Sequence, residues 1–103
     1  MTPDPAERPA AVAEVHVDND DVRVTQWSFA PGAATGWHRH ELPYVVVPLL
    51  DGALLLDDGT TQATAPLRAG RAYFREAGAE HDVANPGAGP FAFVEIELKG
   101  LRA

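Results

Sequence analysis

The chain contains no cysteine. That absence excludes a disulfide framework, a thiolate metal site, iron–sulfur ligation and a cysteine nucleophile. Positive charge is scarce. Lys and Arg total 8 against 15 Asp and Glu, giving a net charge of -7. Recognition of DNA or RNA through phosphates needs the opposite sign, and so does binding to an anionic membrane surface. We expect neither nucleic acid nor membrane as a partner. No apolar run approaches the roughly 20 residues of a membrane-spanning helix. Helical periodicity is missing as well: residues 6–14 form the only candidate window, and Pro9 breaks it. Residues 1–13 carry Pro3, Pro5 and Pro9 and no apolar stretch of signal-peptide type. They read as a flexible N-terminal tail on a cytoplasmic protein.

What is present is one globular unit, expected over residues 14–103. The length of 103 residues suits one domain, and 46% apolar against 22% charged residues is a globular balance. Short β-like runs follow one another, punctuated by Gly, Pro, Asp and Asn. Residues 15–17, 22–29, 36–40, 44–50, 54–56, 60–65, 72–75, 81–84 and 91–99 read as strands. Asp51-Gly52, Asp57-Asp58-Gly59 and Asn85-Pro86-Gly87 supply the turns. This pattern predicts an all-β sandwich or barrel. Residues 44–50 are nearly all apolar, which predicts burial on both faces. Pro48 within that run lacks a backbone donor and should sit at a bulge or face an unpaired side. In residues 91–99, Val94, Ile96 and Leu98 alternate with Glu95 and Glu97, a half-buried strand with solvated carboxylates.

The chain holds 4 histidines. His38 and His40, spaced i, i+2, share one face of a strand. His81 lies on a separate short strand. Neutral imidazole is the commonest metal ligand, so two ligands from one strand and one from a neighbour would make a facial site. On spacing alone, an exposed histidine pair on a strand accounts for the pattern equally well. His16 stands apart among acidic residues and reads as a solvated strand position.

The residues around these histidines carry more. Gly32, His38, His40 and Gly52 fall in one register, and Gly70, Gly78, His81 and Asn85 in a second. This double pattern resembles the cupin superfamily, and stretches 27–32, 35–40 and 44–49 resemble a group of short cupins that includes one associated with β-alanine degradation. The resemblance implies a double-stranded β-helix (jelly-roll) barrel, often a homodimer, with a divalent metal (Fe, Mn, Ni, Cu or Zn) held by His38, His40 and His81. It also exposes a gap. The family's glutamate ligand falls at Val45, or at Tyr44 with the shorter spacing, and neither is a carboxylate. Glu41 follows His40 directly and should point to the other face. Tyr44 is the one candidate catalytic side chain, with a hydroxyl for substrate or water.

Three neutral imidazoles leave a divalent charge uncompensated, so the site should favour a small anionic ligand. Val45, Val46, Val47, Leu49 and Leu50 would form an apolar shell around it. Trp27, Phe29, Phe74, Phe91 and Phe93 could line a pocket or form core or dimer interface. Trp37 and Arg39 should face away from the metal, Arg39 in a surface ion pair. Asn85 should cap the turn before Pro86, and Asp57 and Asp58 read as solvated charges. The resulting expectation is a metal-dependent, dioxygenase-like enzyme acting on a small anionic metabolite. The alternatives are a non-catalytic metal- or small-metabolite-binding module, or a metal-independent cupin isomerase whose histidines transfer protons.

Overall fold

A computed structural model describes residues 8–100. Turn residues set the strand boundaries. The Asn19 side-chain oxygen accepts the backbone N–H groups of Asp21 and Val22 at 2.8 and 2.9 Å, reversing the chain between β1 (Val12–Asp18) and β2 (Val22–Phe29). Asp58 does the same for Thr60 and Thr61, both at 2.8 Å, between β5 (Gly52–Asp57) and β6 (Gln62–Leu67). The remaining strands are β3 (His38–Arg39), β4 (Tyr44–Pro48), β7 (Tyr73–Arg75), β8 (Glu80–Ala84) and β9 (Phe91–Leu98).

These strands form a five-stranded sheet, β1-β2-β9-β4-β7, and a four-stranded sheet, β3-β8-β5-β6. Every pairing between these strands is antiparallel. The two sheets enclose a core of Phe29, Ala33, Tyr44, Val46, Leu54, Val83, Phe91 and Phe93. This is the expected all-β jelly-roll barrel. No helix among the described residues is long and apolar enough to cross a membrane.

Of the expected tail, residues 1–7 lie outside the described residues. Pro9 and Ala11 are tied to the barrel by backbone hydrogen bonds: Ala34 N–H donates to Pro9 O and Ala11 N–H to Ala34 O, both at 2.9 Å. The first strand accordingly begins at Val12, ahead of the apolar alternation that starts at Val15.

Two burial expectations are corrected. In β9 the inward face is Phe91, Phe93 and Glu95, all buried, while Val94, Ile96 and Leu98 are only half-buried on the other face. Glu95 is therefore not a solvated charge. Strand β4 alternates too: Tyr44, Val46 and Pro48 are buried and Val45 and Val47 face outward, with Leu49 and Leu50 exposed beyond the strand end. The apolar run reflects an outer face that is itself apolar, not burial on both sides. One row crosses the whole outer face, Val17–Val24–Ile96–Val45–Phe74, each residue opposite the next on paired strands.

Pro48 meets its expectation. Leu49 N–H donates to Ala92 O at 3.0 Å, so the neighbouring Pro48–Phe93 pair makes no hydrogen bond to β9. On the other side the pairing with β7 stops at Val46. The missing donor of Pro48 faces that side, beyond the end of β7, where Pro48 O accepts from Gly70 N–H at 2.7 Å and no strand residue is paired with Pro48.

Candidate metal centre

The site is assembled by one short strand pair. His38 on β3 lies directly opposite His81 on β8. Two residues on, the His40 backbone is clamped by one turn: its N–H donates to Ala79 O and its C=O accepts from Gly78 N–H, both at 2.8 Å. Gly78 makes this turn at φ 105°, a left-handed conformation that a side chain resists. The two glycine–histidine patterns are also tied together, since Gly32 N–H donates to Asn85 O at 3.0 Å and Asn85 N–H to Ala33 O at 2.9 Å. The buried Asn85 side chain closes its own turn, accepting from Gly87 N–H at 3.0 Å and donating to Gly89 O at 2.9 Å.

The result is a convergence of ring nitrogens. His40 Nε2 lies 3.0 Å from His38 Nε2 and 3.1 Å from His81 Nε2. The three together could hold a metal ion. Two further observations fit such an ion. Gly36 O can only accept, so its 2.9 Å hydrogen bond with His38 Nδ1 places the proton there and leaves Nε2 with a free lone pair. In addition, metal–nitrogen bonds of about 2.1 Å at right angles would put ligand atoms about 3.0 Å apart, against about 3.4 Å at tetrahedral angles. The two spacings from His40 suit right-angled ligation, which leaves further positions open to other ligands.

The electrostatics favour the ligand form. Burial pushes His40 down to about 4, helped by the neighbouring His38 and His81. Burial also pushes His81 down to about 4, helped by His38 and Arg75. Both rings are neutral near pH 7, as coordination requires.

A carboxylate stands behind His40. Glu95 Oε1 lies 3.8 Å from His40 Nδ1, with both side chains nearly buried. Burial raises Glu95 to about 7; nearby Glu97 adds to the rise, and a hydrogen bond with the Trp27 side chain opposes it. Tyr44 packs against the same imidazole, with ring centroids 4.0 Å apart and an interplanar angle of 21°. Burial, reinforced by Glu95, lifts the Tyr44 phenol to about 12, so its hydroxyl keeps its proton and can donate. Of the two places open to the family's glutamate, Val45 points outward and Tyr44 points in. Glu95 on neighbouring β9, opposite Val46, does not replace the carboxylate missing from β4: it lies on the Nδ1 side of His40, away from the converging Nε2 atoms.

The histidines open into a cavity of about 520 Å³. Trp27, Val46, Leu54, Leu56, Val83 and Phe93 form its apolar wall, and Thr35, Tyr44, Tyr73, Arg75 and Glu95 supply polar groups. Of the expected apolar shell only Val46 lines the cavity. Among the five aromatic candidates, Trp27 and Phe93 line it, Phe29 and Phe91 are core, and Phe74 is exposed on the outer face. Glu41 is exposed and ion-paired with Arg39 at 3.6 Å, and Arg39 also meets Glu80 at 3.4 Å. Trp37 is exposed and rests near Gly59, His16 lies on the outside near Glu14, and Asp57 is half-buried in its turn. Glu95 and Arg75 are the site residues that sequence reasoning missed. Glu95 shares its face with Phe91 and Phe93, a pattern that could have revealed it. Arg75 carries no such signal in the sequence, since its place at the site comes from the pairing that sets it directly opposite Tyr44.

Comparison with known proteins agrees with this architecture. The family profile described as "Cupin domain" matches residues 25–97. The chain is 59% identical over 92 residues to the protein named "Beta-alanine degradation protein BauB" from Pseudomonas aeruginosa, covering 89% of this chain and 97% of that protein. It superposes on the crystal structure of a cupin domain from Bordetella pertussis with TM-score 0.89 and 49% identity, covering 91% of this chain and 98% of the other. A cupin-family protein with a double-stranded β-helix fold from Methanocaldococcus jannaschii matches with TM-score 0.72 at 12% identity, over 89% and 83% of the two chains, and supports the fold alone.

Proposed function

The chain belongs to the cupin superfamily, and from that premise we propose that it is a metal-dependent, dioxygenase-like enzyme acting on a small anionic metabolite. The observation that carries this reading is the convergence of three Nε2 atoms at 3.0 and 3.1 Å, with His38 held in the ligating tautomer. A bound divalent ion would supply Lewis acidity and, if redox-active, access to oxygen chemistry. In a dioxygenation both oxygen atoms end in the product, so no external reductant is consumed. The chain's own residues do the rest. His38, His40 and His81 form the ligand set. The apolar wall excludes water and strengthens electrostatics inside. Tyr44 offers a hydrogen bond at the edge of the centre. The Pseudomonas relative is named for β-alanine degradation, the breakdown of a small molecule that carries a carboxylate, which supports the substrate class. We place the protein in the cytoplasm on the same reading.

Elemental analysis of protein purified without a nickel column, then reconstituted with Fe, Mn, Ni, Cu or Zn, tests the centre. One equivalent is expected. Uptake below about a tenth of an equivalent overturns the reading, because three preformed imidazoles should bind such ions tightly. Oxygen uptake with thiols, diketones and 2-hydroxy acids then separates an enzyme from a non-catalytic binding module. The isomerase alternative predicts turnover by metal-free protein, so activity that persists after chelation would favour it over the metal-dependent reading.

Assembly as a homodimer belongs to the same proposal. Its support is the outer face of the five-stranded sheet, where an apolar row runs across five strands. A two-fold axis would lay this face on its copy.

A further inference from the structure

The cavity lining contains a single Arg or Lys, Arg75. It occupies the end of β7, directly opposite Tyr44 on β4, and the Tyr44 ring in turn stacks on His40. Arg75 is therefore one strand away from a side chain in contact with the candidate centre. The guanidinium rests over the Tyr73 ring, 5.2 Å from the centroid, which orients it without neutralising it.

The carboxylates around the mouth are otherwise engaged. Glu80, which lines the same cavity, is paired with Arg39. Asp58 is held by the backbone N–H groups of Thr60 and Thr61. Arg23, in the same cross-strand row as Arg75, pairs with Asp18 and Glu97. Among the described residues no carboxylate lies within ion-pair distance of Arg75. A planar guanidinium at the rim of an apolar cavity matches a carboxylate in two parallel hydrogen bonds.

We propose that Arg75 is the substrate's carboxylate anchor, so that the site takes a short bifunctional acid, with its carboxylate on Arg75 and a second donor atom directed at the three histidines. This rests on the reading of the cavity as a metal-dependent site for small anions, and it narrows that reading to a molecule with two polar ends. Tyr73 keeps the guanidinium in place, and Tyr44 stands between the anchor and the centre, where its phenol can donate to the middle of the ligand.

The test uses glycolate, 3-hydroxypropionate and 4-hydroxybutyrate, each against its neutral amide, titrated calorimetrically into zinc-loaded wild type, R75Q and R75K. Metal content is measured on the same samples. In wild type at least one acid is expected to bind about tenfold or more tighter than its amide, the effect of charge-assisted hydrogen bonding. In R75Q that preference disappears while zinc content is unchanged, and R75K recovers part of it. Equal preference for acid in wild type and R75Q, with zinc retained, overturns the proposal, as does a wild type that fails to distinguish acid from amide. If the wild type takes up no metal, the proposed function falls separately. The same acid–amide comparison on metal-free protein then decides Arg75 alone, where loss of the preference in R75Q supports the anchor and its persistence overturns it.

Discussion

Glu95 faces the side of His40 that points away from the other two histidines. Its Oε1 lies 3.8 Å from His40 Nδ1, while His40 Nε2 approaches His38 and His81. The contact is longer than a hydrogen bond, but the ionised form of Glu95 favours the proton on Nδ1 through its charge and so leaves Nε2 free for a metal. Glu95→Gln should therefore weaken zinc or cobalt affinity about 10- to 100-fold. Competition titration against a chromogenic chelator measures this. An affinity within threefold of wild type would mean that Glu95 does not act through His40.

His81→Ala removes the ligand contributed by β8. The variant should lose stoichiometric metal while its far-UV circular dichroism stays that of a β-barrel, because the core of Phe29, Tyr44, Leu54, Val83 and Phe91 does not include His81. Collapse of the β signal would instead show that the centre acts as a structural staple.

Gly52 closes the first of the two sequence patterns, and packing explains its place there. A Cβ at this position would lie 2.7 Å from Cδ1 and 3.0 Å from Cε1 of Phe91. Phe91 is buried in the core and has little room to retreat. Gly52→Ala should cost about 1–3 kcal/mol, read as a drop in the thermal midpoint. Combining it with Phe91→Leu should be less than additive, since the second change relieves the first. Strict additivity would place the clash elsewhere.

How much of this was legible in the sequence follows from what each signal encodes. Turn residues such as Asp58 and Asn85 mark where strands end, and the observed strands fall close to the positions they bracket. The i, i+2 spacing of His38 and His40 puts them on one face, and the glycine patterns add His81. Period-two alternation, however, separates two faces without saying which is inside. On β9 the apolar set Val94, Ile96 and Leu98 lies outside, because the inner face gives one position to Glu95 beside the centre. The same ambiguity made β4 look doubly buried. Arg75 could not be read because its meaning lies in the strand pairing that puts it opposite Tyr44.

The turn after β5 makes stability depend on acid. Backbone hydrogen bonds from Thr61 and Thr60 hold Asp58 below the ordinary carboxylate range. A group depressed in the folded state stabilises the fold above its unfolded value and loses that contribution as pH falls through its folded value. Wild type should therefore lose this contribution on acidification below the ordinary Asp range. Asp58→Ala should lower the thermal midpoint at pH 7 and narrow its gap to wild type in acid. A gap that stays constant from neutral to acid pH would show that the carboxylate charge contributes nothing.

The outer face of the five-stranded sheet allows a direct test of assembly. Val17, Val24, Ile96, Val45 and Phe74 form one row there, with Ile96 at its centre. Phe74 and Val17 are exposed in the single chain, at 49% and 41%. An apolar strip of this kind is stable in water when it meets a matching surface, and a second copy presents the same strip by symmetry. The net charge of -7 on each copy opposes association, so contact should occur through this uncharged row. Light scattering coupled to size exclusion should give a dimer for wild type and a monomer for Ile96→Glu. That substitution points outward and leaves the inner face of β9 untouched, so the variant should still fold and still bind metal. A wild-type monomer at every concentration, or an Ile96→Glu protein that remains dimeric, would rule out this face as the contact between copies.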